Sequence, residues 1–145
     1  MAKTEPKATK PMSKNALFLS DVIITAVEGG IGYWSRCVKY DHGTPDTVEW
    51  SERDEKRHPA VAVIREMNED ESGYKKERLE VTNAVIGRAF KKIMDKKVEI
   101  PHASDKWRKR MVAAYWDKEN GAGDIDSCDA DCIVQIGLFG EVRYG

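Results

Sequence analysis

Between Asn15 and Val27 almost every position is apolar, and the polar exceptions past Asn15 are Ser20, Asp21 and Thr25. At helical spacing Asp21, Thr25 and Glu28 fall on one stripe, while apolar residues cover the rest of the surface. A helix that apolar is expected to be mostly buried. Gly29-Gly30 follows, and glycine accepts the left-handed conformation that closes helices. The pattern then changes period. Ile31 to Tyr40 is rich in aromatic and branched residues and predicts a strand. Asp41 to Asp46 has loop composition, Thr47–Trp50 predicts a short strand in a hairpin with the first, and Ala60–Met67 predicts a third strand with Pro59 at its start. Lys75–Val81 fits either an extended segment or the lead-in to a helix.

The remaining chain has helical spacing. Thr82 is suited to cap a helix over Asn83–Lys96, with Ile86, Ala89, Phe90 and Ile93 inward. Ser104 is suited to cap a helix running to about Glu119, with Trp107, Met111, Ala114 and Tyr115 on one face. Asp124 or Asp126 opens a last helix through Cys128, Cys132, Ile136 and Phe139, which Gly140 can end. The expected fold is α+β: a small antiparallel sheet of about three strands packed with about four helices. Residues 1–14 are polar and basic with two prolines and predict a disordered tail; residues 15–145 predict a single domain.

Composition narrows the function. No run approaches the ~20 apolar residues of a membrane helix, so no membrane partner is expected. Met1–Lys14 has no apolar centre and does not read as a secretory signal. Three cysteines, Cys37, Cys128 and Cys132, point to reduced thiols in a cytoplasm. Cys128 and Cys132 stand four residues apart, and without nearby histidines they read as small buried residues rather than as zinc ligands. The net charge is −1, unevenly placed: +3 over residues 1–40, −6 over 41–74, +7 over 75–110 and −5 over 111–145.

The densest chemistry lies at Glu28, Gly29, Gly30, Tyr33 and Trp34. Two readings stand side by side. One is a helix cap followed by two core aromatics. The other is a small-ligand or partner site, with Tyr33 or Trp34 stacking and Glu28 accepting a hydrogen bond. The glycines match neither phosphate-binding loop motif, and no cofactor is implied. The basic segment offers an alternative, a nucleic-acid surface built from Lys91, Lys92, Arg108 and Lys109 with Lys106 and Arg110 beside them. The sequence pI of about 6.3 argues against a dedicated nucleic-acid binder. Trp107, at stripe spacing, reads as core.

The acidic run Asp124, Asp126, Asp129 and Asp131 does not fit a calcium loop, and acidic residues in a first helical turn answer the helix dipole. No metal site is assigned. His42, His58 and His102 lie in expected loops and no nucleophile–base pair stands out, which points away from catalysis. A small hydrolase or nucleotide-modifying enzyme using Glu28 with a loop histidine stays open as a third reading.

Two segments carry a resemblance. Asp21-Val22-Ile23-Ile24-Thr25-Ala26-Val27-Glu28-Gly29-Gly30-Ile31-Gly32-Tyr33-Trp34 resembles the opening of small proteins encoded by actinobacterial phages and prophages. The run from Gly123-Asp124-Ile125-Asp126 through Asp131-Cys132 to Gly145 resembles their ending. The resemblance implies a phage accessory protein working inside a bacterial cell, of the host-takeover or anti-defence type, that binds a host protein or small ligand. It carries no catalytic residue with it. Because both ends carry such segments, the first and last helices are expected to pack together. That would bring Glu28, Tyr33 and Trp34 close to Phe139–Tyr144. Oligomeric state is left open.

Overall fold

A computed structural model describes residues 11–45, 49, 53–98, 105–117 and 120–145. Ser13 starts the first helix, α1 (Lys14–Gly29), by accepting the Ala16 N–H at 3.1 Å. A turn through Ile31–Trp34 leads into β1 (Ser35–Asp41). A one-turn helix, α2 (Arg53–Lys56), precedes β2 (Val61–Glu66) and β3 (Leu79–Val81). Then come α3 (Asn83–Met94), α4 (Asp105–Trp116), a 3-10 turn at Gly121–Asp124, and α5 (Ser127–Phe139).

The architecture is α+β, with the sheet antiparallel in the order β1-β2-β3. Its third strand differs from expectation. The expected strand Thr47–Trp50 lies, except for Glu49, outside the described residues, and the described sheet takes Leu79–Val81 instead. The first strand also starts later than its composition predicts, because Ile31–Trp34 is a turn: the Trp34 and Ser35 N–H groups both donate to the Ile31 carbonyl. A bulge at Val38 shifts the β1–β2 register between Cys37 and Lys39.

β2 alternates as a half-covered strand should. Ala62, Ile64 and Glu66 are buried, while Val61, Val63 and Arg65 face the other way and are less covered. The buried face packs on α1, and β3 packs on α5. Thr82 caps α3 as expected, accepting the Val85 N–H. The expected cap Ser104 lies outside the described residues. At α5, Asp126 caps and Asp129 returns the bond to the Asp126 N–H, a reciprocal capping box, and Gly140 ends the helix at φ 77°.

α5 is the centre of the core. It lies against α1 and α3, with Ala130, Ile133, Val134 and Ile136 buried. Among the described residues no helix is long and apolar enough to cross a membrane.

Candidate functional site

Glycine at positions 29 and 30 serves a different purpose from the expected left-handed cap. Gly30 has φ −117° and ψ −47°, which any residue can adopt. What it needs is space, since a Cβ there would lie 2.6 Å from the Ser127 carbonyl oxygen. One at Gly29 would lie 3.3 Å from Ser127 Cβ. The two glycines let the end of α1 touch the start of α5, backbone on backbone, so the expected pairing of first and last helices is present.

Tyr33 and Trp34 then part company. Trp34 is fully buried, so it has no face to offer a ligand. Its indole stacks on Tyr144 at 5.2 Å and 3°, meets Phe139 edge-on, and donates to Asp131 Oδ1 at 2.8 Å. The expectation that Trp34 stacks a ligand is corrected: it is a core residue that holds the chain's last segment. Tyr33 is 53% exposed and its hydroxyl donates to Asp131 Oδ2 at 2.6 Å. Burial first, then the negative charge of Asp131, pushes this phenol well above its ordinary pKa, so it remains protonated.

Asp131 is 7% exposed and also accepts Gln135 Nε2 at 2.8 Å. Gln135, fully buried, takes the Arg143 and Tyr144 N–H groups on its Oε1 at 2.7 and 2.8 Å. These bonds fold residues 140–145 back across α5 as a strap. Its far side is fastened at Glu66, which receives the Tyr144 hydroxyl, Lys75 Nζ at 3.1 Å and Arg143 at 3.4 Å. Burial opposes the charge on Glu66, but the bonds from Tyr144 and Lys75 outweigh it and hold the carboxyl below its usual range. Tyr144 itself is pushed up to about 12 by burial and by Glu66.

Between the Gly29–Tyr33 corner, the first turns of α5 and the strap lies a cavity of about 460 Å³. Its walls are Gly29, Gly30, Tyr33, Ser127, Cys128, Asp131, Cys132, Val142, Tyr144 and Gly145. Its size falls within the range of small-molecule sites, roughly 300–1,000 Å³. Glu28 stands outside it. It accepts the Tyr40 hydroxyl at 2.9 Å and borders a separate depression of about 340 Å³.

Cys128 and Cys132 depart from the burial expected of them. All three cysteines are free; Cys37 and Cys128 are exposed and Cys132 is half-buried. Spacing alone places Cys128 and Cys132 on one face of α5, and that face proves to be the cavity wall rather than the core. Cys132 is pushed up to about 11, by burial first and then by Asp131 and Asp129. A thiol held protonated is a poor nucleophile.

The acidic run divides by role. Asp126 caps α5. Asp129 is clamped by Arg110 at 2.8 Å and by the Trp107 indole at 2.9 Å, which holds its carboxyl below the usual range although burial acts the other way. Only Asp131 faces the cavity. Among the described residues no group of three or more histidine, cysteine or acidic side chains gathers as metal ligands.

The basic residues do not form one free face. Arg108 donates to the Val98 carbonyl at 2.9 Å and pairs with Asp105 at 3.7 Å, and Arg110 is bound to Asp129. Lys92 reaches the end of α5 beside Gly140. Lys91 and Lys109 are exposed. Trp107 packs against the core, as its spacing predicts. His58 is paired with Asp41 at 2.8 Å and His42 accepts the Thr44 N–H, while His102 lies outside the described residues. No hydrogen bond joins Glu28 to a histidine among the described residues.

No family model, curated protein or solved structure matches this chain.

Proposed function

We propose that this chain is a non-enzymatic, phage-encoded accessory protein that binds a small ligand in the cavity between the Gly29–Tyr33 corner, α5 and the strap. One observation carries the proposal: three separated pieces of chain converge on a well-formed cavity of about 460 Å³. Tyr33 supplies an exposed aromatic face, Gly29 and Gly30 bare backbone, and Cys128, Cys132 and Val142 apolar wall. Cys132, held protonated at the cavity wall, is a poor nucleophile, which supports binding over catalysis. The phage origin rests on the resemblance of the terminal segments. Action inside the bacterial cytoplasm rests on that resemblance and on three cysteines that remain free thiols. A small ligand is favoured over a host protein because the chemistry is gathered in a concavity.

The test is amide chemical-shift mapping during a fragment screen, on wild type and Cys128→Phe. Cys128 is exposed, so the phenyl ring fills the cavity mouth without entering the core. Fragments should move the amides of Gly29, Gly30, Tyr33 and Ser127–Cys132 in wild type and leave them still in the variant, with thermal melts unchanged. Equal binding by C128F would remove the cavity from consideration.

A further inference from the structure

The cavity holds a carboxylate without a cation. Asp131 is more than nine-tenths buried, and its partners are three neutral donors: the Tyr33 hydroxyl, the Trp34 indole and the Gln135 amide. Among the described residues no lysine, arginine or histidine pairs with it. The contrast with its neighbours is sharp. Asp129, two residues away, has Arg110; Glu66, at the strap's far side, has Lys75 and Arg143. A buried carboxylate is stabilised by charge compensation as well as by hydrogen bonds, and here only the hydrogen bonds are supplied.

The other polar groups at the wall point to the same ligand. Tyr33 has committed its proton to Asp131, so its oxygen meets the cavity as an acceptor. None of the ten lining residues is basic. Arg143, the strap's own base, is held over the Phe139 ring at 4.1 Å and against Glu66. The positive end of the α5 dipole is met at Asp126 and Asp129, in the cap and first turn. Tyr33 and Tyr144 add aromatic rings, which attract cations.

We infer that the ligand is an organic cation: an ammonium group on an apolar body. The charged end lies against Asp131 Oδ2 and the Tyr33 oxygen, and the body lies along Cys128, Cys132 and Val142. This rests on the cavity being the binding site.

Three probes of one shape and different charge test it: 2-phenylethylammonium, 2-phenylethanol and 3-phenylpropanoate. Each is titrated at constant ionic strength and followed by the amides of Gly29, Gly30, Tyr33 and Ser127–Cys132. The ammonium should bind about tenfold or more tightly than the alcohol, with the carboxylate weakest. Raising salt from roughly 50 to 500 mM should weaken the ammonium and leave the alcohol unchanged.

Asp131→Asn keeps an oxygen for the Trp34 and Gln135 donors and should bring ammonium and alcohol to within about twofold. Tyr33→Phe removes the second oxygen while leaving the carboxylate in place and should narrow the ammonium preference; the probe order and salt dependence of the wild-type protein keep the inference testable if the Asn variant does not fold. Equal binding of the three probes, or a preference for the alcohol or carboxylate, overturns the cationic class and leaves the cavity as a ligand site. No response of these amides to any probe at millimolar concentration overturns both.

Discussion

Gly30→Ala isolates the contact on which the candidate site is built. The added Cβ would meet the Ser127 carbonyl oxygen at 2.6 Å and the Ala26 oxygen at 3.3 Å, where ordinary contacts begin at 3.4 Å. Both oxygens belong to helix backbone, so neither can swing aside; α1 and α5 must move apart. Overpacking of this kind costs about 1–3 kcal/mol, and two rigid neighbours place the variant near the upper end, about 2–3 kcal/mol. Total stability of a domain this size is about 5–15 kcal/mol, so the loss is a visible fraction. Two neighbours act as internal controls. Gly29→Ala meets only Ser127 Cβ, at 3.3 Å, and gains helix propensity, for a net change of about 0–1 kcal/mol. Gly32→Ala meets nothing within 4 Å and should be neutral or stabilising by up to about 0.5 kcal/mol. Urea unfolding followed by circular dichroism gives all three values from shifts in midpoint at constant slope. The melting temperature of Gly30→Ala should fall by roughly 6–12 °C. A Gly30→Ala protein within about 0.5 kcal/mol of wild type would mean that the helices do not meet at Ser127, and the cavity between them would lose its floor.

Acid should unfold the protein through Asp129 and Glu66. Both carboxyls sit below their usual range, so their contribution is complete above an ordinary carboxylate pKa of about 4 and is lost as pH falls through the lowered native values. Asp129→Asn should therefore flatten the acid limb of a urea-midpoint profile taken from pH 7 to 2; an unchanged limb would refute the ion pair with Arg110. The thiols should react in order. Cys37 and Cys128 are exposed while Cys132 is half-buried and pushed up to about 11, so iodoacetamide at pH 8 should label Cys37 and Cys128 ahead of Cys132, read by peptide mass. Labelling of Cys132 first would contradict its half-buried, acid-flanked setting.

The helices were legible wherever the period was long. α1, α3 and α5 repeat their apolar spacing over several turns, and Thr82, Asp126 and Gly140 mark three of their limits with side-chain or backbone chemistry. β3 was not legible because three residues carry almost no period; Leu79–Val81 becomes a strand by pairing with Ala62–Ile64. The meaning of the glycines was hidden for a related reason. A sequence shows that a side chain is missing, but not whether a dihedral angle or a neighbour requires it, and here the neighbour is Ser127, almost a hundred residues on.

The candidate site was half visible. Its corner stood out through Gly29, Gly30 and Tyr33. Adjacent aromatics give no sign of which faces inward, and Trp34 was taken into the core by Asp131 and Tyr144. Asp131 looked like one more acid near a helix start, when it is the residue that both the core and the cavity share. Cys128 and Cys132 looked like core because small apolar residues four apart on a helix usually are; only the position of the strap decides that their face borders a cavity.

That sharing determines which variants can separate binding from folding. Asp131 receives the Trp34 indole and the Gln135 amide on one oxygen, and Gln135 holds the strap through two backbone N–H groups. Removing Asp131 outright leaves the buried Trp34 N–H without an acceptor, at about 1–3 kcal/mol, leaves Gln135 Nε2 with the Tyr144 carbonyl at 3.2 Å, and loosens the wall formed by Val142 and Tyr144. Loss of binding in such a variant would report on the fold as much as on the ligand. Tyr144 has the same defect, since it stacks on Trp34 and bonds Glu66. Tyr33 and Cys128 do not: each presents its side chain to the cavity from an exposed position, so changes there alter the ligand's surroundings while the core bonds stay in place. A cavity whose charge is supplied by a core residue and whose access is supplied by surface residues can therefore change its ligand at the rim without giving up the carboxylate, and the charge preference should be the last property lost.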